Sequence, residues 1–144
     1  MQRDQFYSVS RGRLKLRTIA GVHSELIAYD REDTPSARTS DYGLYPTADA
    51  ALLDDVLGRA LERSDVIEKT RRLLVLGNTR IHLDDVVGLG HYVELETVIQ
   101  DQSESDALAE HEKVIAALGL GDAERLAVGY VDLIKSEGEM AQEV

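Results

Sequence analysis

Several stretches of this chain place charged side chains at alternate positions. Arg13, Lys15 and Arg17 alternate with Leu14 and Leu16. A strand points successive side chains to opposite faces, so the three cations share one face and the leucines the other. Lys69 and Arg71 repeat the pattern. Arg80, His82 and Asp84 share a face opposite Ile81 and Leu83, and Glu94 and Glu96 share one opposite Val93 and Leu95. Glu25, Ile27, Tyr29 and Arg31 fall on one side of a further strand, and Arg38 and Ser40 on one side of another. For any one strand alone, the commoner meaning is a solvated outer face over an apolar core. If the faces converge, Arg13, Lys15, Arg17, Arg31, Arg38, Lys69, Arg71 and Arg80 form a cationic lumen, with Glu25, Asp84, Glu94 and Glu96 adding carboxylates. Unpaired cations in such a space are too costly to desolvate unless a polyanion or water fills it. The expected occupant is an oligophosphate held by Arg and Lys, with a divalent metal on the carboxylates.

Single residues carry competing meanings. His82 suits general acid or base chemistry, its ordinary pKa being near ~6.5, or it hydrogen-bonds within a polar lining. Asp84 is a base, or it balances Arg80 or Lys69. Tyr29 and Tyr42 stack on a base or pack against the sheet. His23, His91 and His111 read as turn or surface residues, and the four histidines are too scattered for a metal signature. Asp30, Glu32 and Asp33 read as a solvated loop.

The elements that would position these residues follow from periodicity. Gln5–Val9, Arg13–Ile19, Ser24–Arg31 and Ala37–Tyr42 read as strands, with turns at Ser10-Arg11-Gly12 and Gly21. A helix follows, capped by Thr47 or Asp49 and carrying Leu52, Leu53, Val56, Leu57, Ala60 and Leu61 at helical spacing. Val66–Leu76, a Gly77-Asn78 turn and Thr79–Val86 read as a hairpin, and His91–Ile99 as the next strand. Ser103 or Ser105 caps a helix bearing Leu108, His111, Val114, Ile115 and Leu118. Asp122 caps a last helix with Leu126, Tyr130, Leu133 and Ile134 inward. Short turns between strands imply antiparallel pairing. The expected class is α+β, an antiparallel β-barrel or strongly curved open sheet with helices packed outside.

Composition agrees with one folded domain over residues 1–144. The net charge of −11 is uneven. Residues 1–80 carry 13 Lys+Arg and 12 Asp+Glu, a balance of 13 − 12 = +1, and residues 81–144 carry 3 and 15, a balance of 3 − 15 = −12. Cations on inward faces of an acidic protein suit a small anionic ligand better than a nucleic acid backbone. No apolar run approaches the ~18 residues of a membrane span, and the first 20 residues, interrupted by Arg11, Arg13, Lys15 and Arg17, do not read as a signal peptide. The absence of cysteine excludes disulfides and thiolate chemistry and fits a cytoplasmic location.

Gly12-Arg13-Leu14-Lys15-Leu16-Arg17, Glu25 to Arg31, Ser40-Asp41-Tyr42 and Lys69-Thr70-Arg71 resemble successive blocks of the CYTH domain. The stretch Arg80 to Glu96, with Asp84-Asp85-Val86 and Gly88-Leu89-Gly90, is similar to the class IV adenylyl cyclase branch of that superfamily, which also holds thiamine and inorganic triphosphatases. Leu118-Gly119-Leu120 and Tyr130 to Ile134 match the same branch. The resemblance implies a triphosphate-tunnel fold in which Lys15, Arg17, Arg31, Lys69, Arg71 and Arg80 contact phosphates and Glu94 and Glu96 help hold Mg²⁺ or Mn²⁺. It implies a lyase or hydrolase acting on a nucleoside or organic triphosphate; by residue type and predicted face, Asp84, His82 and Glu96 are the candidate groups for proton transfer. Arg13 and Arg38 join the anion-binding set through their positions on the inward faces. The family opens with a Glu-x-Glu-x-Lys strand, whereas Met1 stands directly before the block resembled by Gln2 to Tyr7. The chain therefore reads as N-terminally short for the family. That leaves open a shortened enzyme, an impaired one, or a repurposed domain for a non-nucleotide anion, and exposed sheet edges point to a homodimer.

Overall fold

The computed structural model describes residues 1–30, 42–126 and 128–142, with side chains as far as residue 136. In chain order its elements are β1 (Gln2–Tyr7), β2 (Arg13–Ile19), β3 (His23–Tyr29), β4 (Tyr42–Thr47), α1 (Ala50–Ala60), β5 (Arg63–Leu76), β6 (Thr79–Val86), β7 (Gly90–Thr97), α2 (Glu104–Ala117) and α3 (Tyr130–Gln142). Among the described residues the strands form one seven-stranded sheet ordered β4-β3-β2-β1-β5-β6-β7. Every neighbouring pair is antiparallel. The two edge strands, β4 and β7, therefore run in the same direction, and the sheet is curved but not closed. The α+β class with an open, barrel-like sheet is as the sequence led us to expect.

Register decides which side chains share a face. Asp4 pairs with Arg17, Phe6 with Lys15, Gln2 with both Ile19 and Lys69, and Arg17 in turn with Glu25. Arg71 pairs with Asp84, Leu73 with His82 and Val75 with Arg80, and these continue to Tyr92, Glu94 and Glu96 on β7. Directly paired residues point the same way, so all these groups lie on the concave face. Curvature brings its rims within side-chain reach: the Tyr42 hydroxyl donates to Glu96 Oε1 across the opening at 3.3 Å.

Helices cover the rest. α1 rests against β2 on the convex side. Its Asp49 cap accepts from the Leu52 N–H, and Tyr7 and Arg63 both bond Asp54. α2 packs on β6 and β7 with Ala107, Val114 and Ile115 buried. Its Glu110 accepts from the Asn78 N–H at 2.7 Å and the Thr79 hydroxyl at 3.0 Å. Gly77, at φ +62°, makes the β5–β6 turn, and a Cβ there would stand 2.9 Å from the Glu110 carboxylate. α3 closes one end of the concave face, where Val131 joins Phe6, Ile67 and Val86 in a buried apolar cluster flanked by Leu89, Tyr92, Tyr130 and Ile134.

Several boundaries move by one to three residues, and three elements differ more from the sequence reading. β1 spans Gln2–Tyr7 and not Gln5–Val9, because β2 and β5 pair with it from Gln2 onward although Gln2, Asp4 and Gln5 are polar. β4 spans Tyr42–Thr47, and the expected strand over 37–42 lies, apart from Tyr42, outside the described residues. α3 begins at Tyr130, where the Gly129 carbonyl accepts from Asp132 and Leu133, and not at Asp122. Leu126, expected inward, is 42 % exposed. Among the described residues no helix is long and apolar enough to cross a membrane.

Candidate functional site

The concave face carries a continuous network of ion pairs. At one end Asp4 accepts from Arg17 Nε and Nη2, each at 2.9 Å, and from Lys15 Nζ at 2.8 Å. Lys15 Nζ also lies 5.4 Å from the ring centres of both Phe6 and Tyr29. Toward β6, Asp84 accepts from Arg71 Nε and Nη2 and from Lys69 Nζ, all at 2.7 Å, and from the Tyr130 hydroxyl at 3.0 Å. Arg71 Nη2 also reaches Glu94 Oε2 at 2.6 Å. Arg80 pairs with Glu96 at 3.2 Å, and Arg13 with Asp132 of α3 at 2.8 Å.

These contacts set the protonation states. Burial alone would raise the pKa of Asp4, but hydrogen bonds from Arg17 and Lys15 and their charges hold it well below the usual carboxylate range. Asp84 is depressed in the same way by Arg71 and Lys69. Against the desolvation its neighbours impose, Glu94, at the more open rim, is held below the usual carboxylate range as well, by His82 and by the charge of Arg71. Lys15 moves the other way. Desolvation lowers its pKa to about 8, only partly opposed by Asp4.

The structure brings six of the eight expected cations onto one surface. Arg31 and Arg38 lie outside the described residues. The other six are Arg13, Lys15, Arg17, Lys69, Arg71 and Arg80, and they face six carboxylates: Asp4, Glu25, Asp84, Glu94 and Glu96 from the sheet, and Asp132 from α3. Among the described residues these cations are not unpaired: each already has a carboxylate partner, so the six described cations meet six described carboxylates. Asp4, Asp132 and the hydroxyl of Tyr130 are the groups that sequence reasoning missed. Asp4 had a usable signal, since Gln2, Asp4 and Phe6 fall at alternate positions and so share one face, as Arg13, Lys15 and Arg17 do. Asp132 and Tyr130 had none, because their role depends on where α3 docks.

His82, Glu94 and Glu96 sit toward the open rim. Glu94 is 54 % exposed and Glu96 33 %, whereas the His82 side chain is only 9 % exposed. His82 Nδ1 stands 3.5 Å from Glu94 Oε2 and is the buried side-chain polar atom that lacks a hydrogen-bond partner among the described residues. No three His, Asp or Glu side chains among the described residues surround a common point suited to a metal ion. The donor types nevertheless fit a divalent ion: two accessible carboxylates and an orphaned imidazole nitrogen. Two shallow cavities lie elsewhere, and His82, Glu94 and Glu96 line neither of them. One of about 310 Å³ is bordered by Arg13, Val131 and Asp132, and one of about 390 Å³ by Thr70, Arg72 and His91 on the convex side.

A sequence model of the CYTH domain matches residues 1–130. Among solved structures, the PH1012 protein from Pyrococcus horikoshii superposes with a TM-score of 0.81 at 18% identity, over 92% of this chain and 80% of its own. A conserved hypothetical protein from Pyrococcus furiosus gives 0.80 at 23% identity, over 92% and 81%. The PH1819 protein from Pyrococcus horikoshii gives 0.69 at 22% identity, over 94% and 84%. These likenesses bear on the fold. No curated protein matches the chain.

Proposed function

The chain belongs to the CYTH domain family, and on that premise we propose that its concave face binds the phosphate chain of a nucleoside or organic triphosphate with Mg²⁺ or Mn²⁺ and acts as a cyclase-like lyase or a triphosphate hydrolase. The observation that carries the proposal is the convergence, by register, of Lys15, Arg17, Lys69, Arg71 and Arg80 on one concave surface that ends in Glu94 and Glu96. Arg forks match phosphate oxygens and offset charge that builds on a leaving pyrophosphate or phosphate. A divalent ion on Glu94 and Glu96 would add Lewis-acid charge neutralisation.

In the proposed reaction a hydroxyl oxygen, from a ribose or from water, attacks phosphorus. The new O–P bond forms as the bridging P–O bond breaks, and the hydroxyl proton passes to His82 or Glu96. Asp84 fits less well as a base, because Lys69, Arg71 and Tyr130 already occupy its oxygens. It suits the other role, that of charge partner. Arg13 and, from sequence alone, Arg31 and Arg38 complete the anion-binding set. Metal-dependent release of pyrophosphate or phosphate from ATP, GTP, thiamine triphosphate or tripolyphosphate tests the proposal, and inertness toward all four with both metals defeats it.

The pairing of each described cation on the face with a carboxylate favours a second reading, a domain that binds an anionic small molecule without turnover. Cations already satisfied by carboxylates bind a new anion only by exchanging partners. Stabilisation by pyrophosphate with no turnover of any triphosphate would support this reading. A homodimer is a further proposal. β4 and β7 are edges with Leu44, Tyr45 and Val93 exposed, and unpaired edges recruit other strands.

A further inference from the structure

Leaving a buried polar atom without a partner costs about 1–3 kcal/mol, so an orphan in a native fold calls for an explanation, an ion or water among them. His82 Nδ1 is such an atom. It lies on the concave face of β6, in register with Leu73 on one side and Glu94 on the other. Its 3.5 Å separation from Glu94 Oε2 is too long for a good hydrogen bond. Bonds of ~2.1 Å at the right angle of an octahedral ion hold adjacent donor atoms ~3.0 Å apart, so the pair would need to close by only about 0.5 Å to share one ion.

We propose that His82 Nδ1 is a nitrogen ligand, together with Glu94, for the divalent ion of this site, and that it biases the site toward Mn²⁺ over Mg²⁺. The inference rests on the metal-dependent reading above and leaves Glu96, not His82, to take the hydroxyl proton. Magnesium takes oxygen ligands and sheds water reluctantly, whereas imidazole suits borderline transition ions. Charge explains why the ion needs company. Lys69, Arg71 and Arg80 balance Asp84, Glu94 and Glu96, and Arg71 already holds the same Glu94 oxygen at 2.6 Å. A dication alone would leave this cluster strongly positive, and a polyphosphate alone would leave it strongly negative. Together they approach balance, with Arg71 free to turn from Glu94 to phosphate.

The test is pulsed EPR of Mn²⁺ bound to the full chain in the presence of pyrophosphate. We expect modulation from a directly ligated imidazole nitrogen, altered when the histidines carry ¹⁵N and lost in His82→Gln. In calorimetry with pyrophosphate, His82→Gln should lose roughly tenfold or more in Mn²⁺ affinity and little in Mg²⁺ affinity. Mn²⁺ binding with pyrophosphate but without histidine modulation, or with modulation that survives His82→Gln, overturns this inference and leaves the functional reading standing. Absence of pyrophosphate binding with either metal overturns both. If His82→Gln does not fold, the same measurement on the chain carrying His23→Gln, His91→Gln and His111→Gln decides the point: modulation retained supports His82, and modulation lost overturns it.

Discussion

Lys15 sits against two aromatic rings and one carboxylate, and that setting makes ligand binding pH-dependent. Its folded pKa of about 8 lies below the 10.5 of an exposed lysine. Between those values the unfolded chain holds the extra proton, so this group makes stability rise with pH. Anion affinity must go the other way. Tripolyphosphate titrations should show binding weakening as pH rises through about 8, and proton uptake on binding above it. Asp4 has the opposite sign. Its folded pKa lies below 3.8, so its contribution is full above about pH 4 and is lost as pH falls further. Asp4→Asn leaves Lys15 and Arg17 buried without their partner and should cost about 3–5 kcal/mol in denaturant unfolding. Arg80 is 46 % exposed and supplies a contrast. Arg80→Ala should change stability by no more than about 0.5 kcal/mol yet weaken tripolyphosphate binding by about tenfold or more, as expected for loss of one charge-assisted bond. At this scale the sequence was informative about the cations, because alternation with leucines marks their face. It was silent about their partners, since pairing depends on register between strands distant in the chain.

At the scale of elements, β2, β3, β6 and β7 were legible because their apolar residues alternate cleanly. β1 was harder to place, since its buried residues include Gln2, Asp4 and Gln5, and only pairing on both sides makes that segment a strand. α3 was misplaced because Asp122 looks like a cap, while the helix actually starts at the Gly129 carbonyl. That start matters for the site. It sets Tyr130 5.2 Å from the Tyr92 ring and aims its hydroxyl at Asp84. Tyr130→Phe keeps the apolar contacts and removes one donor, so thermal or chemical denaturation should register a loss of about 1 kcal/mol. A loss near zero would mean that α3 docks through Val131 and the apolar cluster alone.

Across the whole molecule, the charge of −11 describes the helices and the exterior more than the site. Among the described residues six cations meet six carboxylates on the concave face, and its rims are bridged by Tyr42 and Glu96. The edge strands β4 and β7 are unpaired among the described residues, and light scattering at micromolar concentration should give a dimer if a second copy uses them. A monomer would remove that proposal without touching the site. The functional account depends instead on partner exchange: a divalent ion draws Glu94 and Glu96, and the phosphate chain draws Arg71 and Arg80. The direct measurement is calorimetric titration of tripolyphosphate into the protein, with and without Mn²⁺, for the native chain and for Arg71→Ala. The expected result is binding strengthened at least about tenfold by Mn²⁺, a coupling of about 1.4 kcal/mol, and abolished in the variant. Binding indifferent to both Mn²⁺ and Arg71, or no binding under any condition, would contradict the account.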